Sequence, residues 1–180
     1  WYRARNDELL RVIHEGVDEV FRKIEDENVL KEVKEKYKLP DKFILYVGSI
    51  RRHKNIDIML KAFENFNKKA PDVWLVMVGR YSQPIDLNRK NVLYLGELES
   101  DADLAAIYNL ASCMLNLSLY EGFGLTILEA QKCGLPVVCS DIPPHREIGG
   151  EGGIFVNPSY IDQVCENLYN VLFNKDMRES

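Results

Sequence analysis

Cys113-Met114-Leu115-Asn116-Leu117-Ser118-Leu119-Tyr120-Glu121-Gly122-Phe123-Gly124-Leu125-Thr126-Ile127-Leu128-Glu129 decides the fold. Its first five residues form a short apolar run bounded by turn residues, which predicts a buried strand. Leu125, Leu128 and Ala130 then recur at helical spacing, and Gly134-Leu135-Pro136 supplies a stop signal. The backbone amides of Gly124, Leu125 and Thr126 open this helix. The first amides of a helix lack internal partners and sit at the positive end of its dipole, so they suit an anion such as a diphosphate. Gly122 and Gly124 let a ligand approach the backbone closely. Glu121, before the helix, and Glu129, inside it, flank that cradle. A carboxylate repels phosphate, so both are better matched to hydroxyl groups than to the anion. Amides for a diphosphate and acceptors for sugar hydroxyls together describe a nucleotide-sugar site. The competing interpretation is a pair of solvated glutamates at a helix start, where acids favour the dipole anyway.

Outward from this stretch, strands and helices alternate. Phe43-Ile44-Leu45-Tyr46-Val47 is a continuous apolar run ending at Gly48. Ile56, Met59, Leu60, Phe63 and Phe66 follow at helical period, with Asn55 placed to cap the start. Val73–Val78 predicts the next buried strand, ending at Gly79, and Val92–Leu95 another, ending at Gly96. Ser100 with Asp103 opens a helix through Leu104, Ile107, Tyr108 and Ala111 in the manner of a capping box. Strands at Pro136–Cys139 and Gly153–Val156 and a helix carrying Ile161, Val164, Leu168 and Leu172 complete the series. Continuous apolar strands alternating with amphipathic helices predict a parallel sheet covered on both faces, a Rossmann-like doubly wound α/β fold. Ligands of such sheets bind at the carboxyl ends of the strands. Gly48, Gly79, Gly96 and Glu121 all sit at such ends and converge on one crevice.

The chain has 180 residues, 46% of them hydrophobic, enough for one compact domain. A net charge of -5 gives no basic surface for nucleic acid. No apolar run approaches the roughly 20 residues of a spanning helix, and the polar, charged start at Trp1–Glu8 has no signal-peptide pattern. Cys113, Cys133, Cys139 and Cys165 lack metal-ligand spacing and fall mostly in apolar patterns, as reduced thiols of a cytoplasmic protein would. Asp101-Ala102-Asp103 is a helix start, so no metal site is expected. Asn116-Leu117-Ser118 matches a glycosylation acceptor at a strand end and is read as incidental.

The string Glu121–Glu129 resembles the E-x7-E signature of the group 1 (family 4) retaining glycosyltransferases of the GT-B fold. The resemblance covers nearly all of the chain. It implies the donor-binding half of a two-domain architecture, with residues 41–180 as a nucleotide-sugar-binding Rossmann-like domain. Val12-Ile13-His14-Glu15-Gly16-Val17-Asp18 resembles the family's interdomain link, with Glu15 where Asn is usual. Residues 1–40 are therefore expected to be this link and a leading helix through Val29, Leu30, Val33 and Tyr37. The acceptor domain and the family's crossing final helix are expected to lie outside the chain, leaving it inactive in transfer by itself.

By the same resemblance, Glu121 meets the donor sugar, Glu129 the ribose hydroxyls, and Phe123, Gly124, Leu125 and Thr126 the phosphates through their amides. The Thr126 hydroxyl is a further phosphate contact, and the Phe123 ring is read as packing. The loop Arg51-Arg52-His53-Lys54 follows the first strand. Lys54 matches the family's diphosphate lysine. Many members place an arginine directly after the glycine, where this chain has Ser49, so that role is open between Arg51 and Arg52, with Arg52 preferred. The base is expected near Gly79-Arg80-Tyr81 and Gly96-Glu97-Leu98. Lys54-Asn55 and Pro143-Pro144-His145-Arg146-Glu147 resemble mannosyltransferases of surface-polysaccharide synthesis. GDP-mannose is therefore the favoured donor, a UDP-sugar the other, and a cytoplasmic or membrane-peripheral location follows. Alternatives are a non-catalytic nucleotide-binding module, a GT-B phosphorylase or an epimerase. Paired carboxylates also occur in glycoside hydrolases, but these need no diphosphate cradle beside a basic loop.

Overall fold

A computed structural model describes residues 16–81 and 86–174. The elements run α1 (Glu27–Lys36), β1 (Phe43–Val47), α2 (Ile56–Asn67), β2 (Trp74–Val78), β3 (Val92–Gly96), α3 (Asp101–Leu110), β4 (Cys113–Asn116), α4 (Leu125–Lys132), β5 (Val137–Ser140), α5 (Pro143–Gly149), β6 (Gly153–Val156) and α6 (Ile161–Phe173). The six strands form one sheet in the order β3-β2-β1-β4-β5-β6, parallel throughout. This is the Rossmann-like doubly wound fold that the apolar runs predict. The chain reverses its direction of travel across the sheet between β1 and β4, which leaves a crevice beyond their carboxyl ends.

Both sheet faces are covered because the strand side chains alternate. Ile44, Tyr46, Leu75, Met77, Cys113 and Leu115 meet α2 and α6 in one core. Phe43, Leu45, Val47, Val76, Val78 and Met114 point the other way, into a second core with Ala105, Ile107, Tyr108, Ile127 and Ala130. Phe21, Val33 and Leu39 belong to that second core, so α1 is packed onto the sheet domain. Tyr37 and Lys36 both donate to Asp103 at the start of α3, at 2.7 and 2.6 Å, and hold α1 there. Of the segment resembling an interdomain link, Val12–Glu15 lies outside the described residues, as do the residues after Asn174.

One local expectation fails. Asn55 does not cap α2 with its side chain: it sits at the N-cap in the left-handed region, at φ 57°. Its strain closes the 3₁₀ turn Arg52–Lys54 directly onto the helix. The stretch Pro143–Glu147, to which the sequence pattern assigns no element, lies in α5, which starts with two prolines at positions where no amide hydrogen is needed. The capping at Ser100 is as expected, its Oγ accepting from the Asp103 amide at 3.1 Å. Among the described residues, no helix is long and apolar enough to cross a membrane.

Candidate functional site

The loops after β1 and β4 flank the crevice and are joined to each other. The Leu119 amide donates to the His53 carbonyl at 2.8 Å. Asn116, buried at the end of β4, accepts from the Ser118 amide and hydroxyl at 3.1 and 2.7 Å, which turns the chain. That turn delivers Glu121 to Lys54: the ammonium donates to both carboxylate oxygens, at 2.6 and 2.7 Å. Side-chain exposures of 16% for Lys54 and 10% for Glu121 place the pair largely out of water. Burial opposes ionisation of Glu121 more than any other single effect. The hydrogen bonds and charge of Lys54, with the nearby Ser118 hydroxyl dipole, together outweigh it and hold the carboxyl below its ordinary range.

Beside this pair, Gly124 opens α4 at φ 111° with no side-chain cap. A side chain at that φ would be strained. By position, the Leu125 and Thr126 amides have no partner within the helix. The Gly124 carbonyl accepts from Ile127 at 2.9 Å, closing the first turn. Phe123 and Thr126 are half-buried, and Leu125 is exposed. Glu129 lies further along the helix, where the Tyr108 hydroxyl of α3 donates to it at 2.8 Å. Burial, chiefly, and the charge of Asp101 raise the Glu129 carboxyl above its ordinary value against this hydrogen bond. The two glutamates thus occupy opposite environments, one neutralised by a cation and one held by a neutral phenol.

Arg51 and Arg52 are both exposed, Arg51 extended and Arg52 at the start of the 3₁₀ turn. The glycines at the strand ends serve chain contact first. The Gly48 amide donates to Val78 at 2.9 Å and the Gly79 amide to Gly96 at 2.8 Å. A Cβ on Gly79 would stand 2.2 Å from the Gly48 carbonyl oxygen. Arg80 and Glu97 are exposed, and Leu98 is half-buried. Tyr94 donates to the Gly79 carbonyl at 2.8 Å, and its ring lies 5.9 Å from that of Tyr81. The sequence reading missed three residues around these groups. Tyr46, with its phenol near enough to Glu121 to feel its charge, and Tyr108 carry helix- or strand-period spacing that looks like core. His145 is fully buried within the electrostatic reach of Glu121 and Lys54; only burial distinguishes it.

The sequence profile described as Glycosyl transferases group 1 matches residues 29–180. O-antigen chain mannosyltransferase B of Escherichia coli is 30% identical over 158 residues, which cover 82% of this chain and 41% of that protein. The chain therefore spans about two fifths of that relative's length. The fold is shared with the crystal structure of the C-terminal domain of a glycosyl transferase group 1 family protein (LpcC) from Francisella tularensis. The TM-score is 0.72 at 23% identity, covering 91% of both chains. It is also shared with WaaG, a glycosyltransferase involved in lipopolysaccharide biosynthesis, at a TM-score of 0.80 and 19% identity, covering 96% of this chain and 50% of the other.

Proposed function

Since the chain belongs to the group 1 glycosyltransferases, we propose that it is the donor-binding half of a retaining enzyme, holding a nucleotide diphosphate sugar for transfer to an acceptor. The observation that carries this is the meeting of the β1 and β4 loops, where Lys54 pairs with Glu121 three residues before the Gly124 that opens α4. The meeting point lies at the reversal of strand order, where open α/β sheets receive ligands.

Departure of a nucleoside diphosphate builds negative charge on its phosphates, and fixed donors aimed at that charge lower the barrier. In this reading the Gly124, Leu125 and Thr126 amides receive the diphosphate. Lys54 supplies a cation at its edge, and Arg52 or Arg51 closes on it from the exposed turn. Glu121, displaced from part of its contact with Lys54, accepts from sugar hydroxyls, and Glu129 accepts from the ribose. Gly48 and Gly96 keep the floor of the site open, and Gly79, Arg80, Glu97 and Leu98 border the base. The chemistry needs no metal in this scheme. The donor is a GDP-sugar, with mannose the sugar favoured by the mannosyltransferase relative; a UDP-sugar is the alternative. The partner is an acceptor-binding domain, which brings the second substrate into reacting geometry. The transfer takes place in the cytoplasm or at a membrane surface.

Calorimetric titration with GDP, UDP, GDP-mannose and UDP-glucose tests this directly. Lys54→Ala is expected to weaken nucleoside diphosphate binding on the order of tenfold to a hundredfold, the worth of one charged hydrogen bond, and nucleoside binding far less. No heat with any of the four, or equal losses for nucleoside and diphosphate, overturns the assignment.

A further inference from the structure

His145 stands on α5 with no surface exposed. Its Nδ1 lies 2.9 Å from the Ser140 carbonyl oxygen. A carbonyl only accepts, so Nδ1 carries the hydrogen. In the neutral ring Nε2 is then a bare lone pair, and it is buried without a hydrogen-bond partner. A buried orphan of this kind costs free energy and calls for a reason. Its location supplies one. Cδ2, the atom bonded to Nε2, is 3.8 Å from where a Cβ on Gly124 would stand. That edge of the imidazole therefore lies under the residue that opens α4, at the anion cradle.

The other groups facing Gly124 here, Ile127 and Ile148, are apolar. The charged side chains whose fields reach the ring are Glu121 and Lys54. Asp141 and Arg146, which bracket His145 in sequence, pair with each other at the surface. Burial, above all, keeps the imidazole's proton affinity below its ordinary value, so it is neutral near pH 7. Lys54 and Glu121 already neutralise each other. An anion entering the cradle thus finds no uncommitted positive charge among the described buried groups, and a lone pair pointing into its surroundings.

We propose that His145 supplies that charge: a diphosphate on the Gly124–Thr126 amides draws one proton from solvent onto Nε2, and the imidazolium, anchored by Nδ1–H to Ser140, places a positive charge and a second N–H beneath the anion. This rests on the donor-site reading above and adds a group to it. One N–H bond forms, the ring goes from neutral to +1, no bond in the ligand breaks, and the proton returns to solvent when the diphosphate leaves. His145 acts on the bound anion from below the glycine and serves as a positioning residue.

The test is calorimetric titration of the chain with GDP-mannose and UDP-glucose at pH 7.5 in HEPES and in Tris, whose ionisation enthalpies differ. A nucleotide-sugar diphosphate has no group titrating near neutrality, so buffer dependence counts protons on the protein. An uptake of about half to one proton is expected, with affinity falling up to about tenfold per pH unit as pH rises above neutrality. His145→Gln is expected to abolish the uptake and weaken binding roughly tenfold to a hundredfold. Glu129→Gln must retain the uptake; its loss there would assign the proton to Glu129 and overturn the proposal. In the wild-type chain, labelled-histidine NMR resolves 3 histidines, and the His145 ring signal must move from neutral to imidazolium on ligand addition, which decides the matter even if His145→Gln fails to fold. Binding with buffer-independent heat and an unmoved His145 signal overturns this inference and leaves the donor site standing. Absence of binding by both probes removes the donor site and the inference together.

Discussion

Replacing Lys54 with methionine keeps an unbranched side chain but removes an ammonium that donates to both Glu121 oxygens at 2.6 and 2.7 Å. What remains is a carboxylate only 10% exposed. Breaking a fully buried ion pair by deleting one partner costs about 3–5 kcal/mol, because the other charge is left uncompensated. Glu121 keeps a little contact with water, so the lower end applies, about 3 kcal/mol. In a chain of this size each kcal/mol moves Tm by roughly 2–4 °C, which gives a loss of about 6–12 °C at pH 7. The deficit carries a signed pH dependence. Against burial, the Lys54 hydrogen bonds and charge hold the wild-type Glu121 carboxyl below its ordinary value. Its stabilising contribution is therefore complete above the unfolded pKa of about 4.3 and disappears as pH falls through the folded value. In the variant, burial dominates and raises the same carboxyl, which takes a proton sooner on acidification and sheds its cost. The gap in Tm must narrow from pH 7 toward pH 4.5. Scanning calorimetry of both proteins across that range measures it, and Lys54→Met with Glu121→Gln should recover most of the loss as pairwise coupling. A gap that holds constant or widens with acid refutes the reasoning, and no gap at pH 7 shows that the pair does not form.

Tyr108→Phe removes the 2.8 Å donor to Glu129, whose carboxyl burial already raises; it should shrink the preference for ribonucleotides over their 2′-deoxy forms, read by titrating both, and Glu129→Gln should do the same. Gly79→Ala combines a φ of 134° with a Cβ placed 2.2 Å from the Gly48 carbonyl oxygen, so a loss of about 3 kcal/mol or more is expected by thermal or urea denaturation; near-wild-type stability would mean the strand ends are not packed this way. Burial and the charge of Asp141 push the Cys139 thiol up to about 12, and burial and Glu129 push Cys133 up to about 11. With so little thiolate at pH 8, iodoacetamide should leave both unmodified in the native chain and label both in denaturant, as peptide mass spectrometry will show.

The order of strands and helices was legible because each β-strand is a run of apolar residues that only a doubly covered sheet can bury. Tyr46 and Ile44 face one core while Leu45 and Val47 face the other, so no alternation marks an exposed side. The sheet order was not legible in the same way. It depends on β4 pairing with β1, on the side away from β2, rather than with β3, the strand before it, a choice made by packing across the whole domain. α5 escaped because seven residues led by two prolines have neither the length nor the periodicity that announces a helix. Asn55 satisfied a capping rule by type, but the preceding 3₁₀ turn had already fixed its backbone in the left-handed region.

The same distinction separates the parts of the site. Gly124, Leu125, Thr126 and the two glutamates were readable because a helix start supplies its amides from local backbone alone. Lys54 and Glu121 were each assigned to a ligand, one to phosphate and one to sugar. That they hold each other is a tertiary fact: 67 residues apart in sequence, they meet only because β1 and β4 are neighbours. Partnership changes their chemistry. A lysine committed to a carboxylate offers a diphosphate less charge than a free one, so any donor must either divide that pair or be met by another cation. Arg51, Arg52 and the buried His145 imidazole are among the groups within the site's loops and helices that can make up the difference. The arginines act at the cost of ordering long side chains. The imidazole is already fixed by Ser140 and needs only a proton.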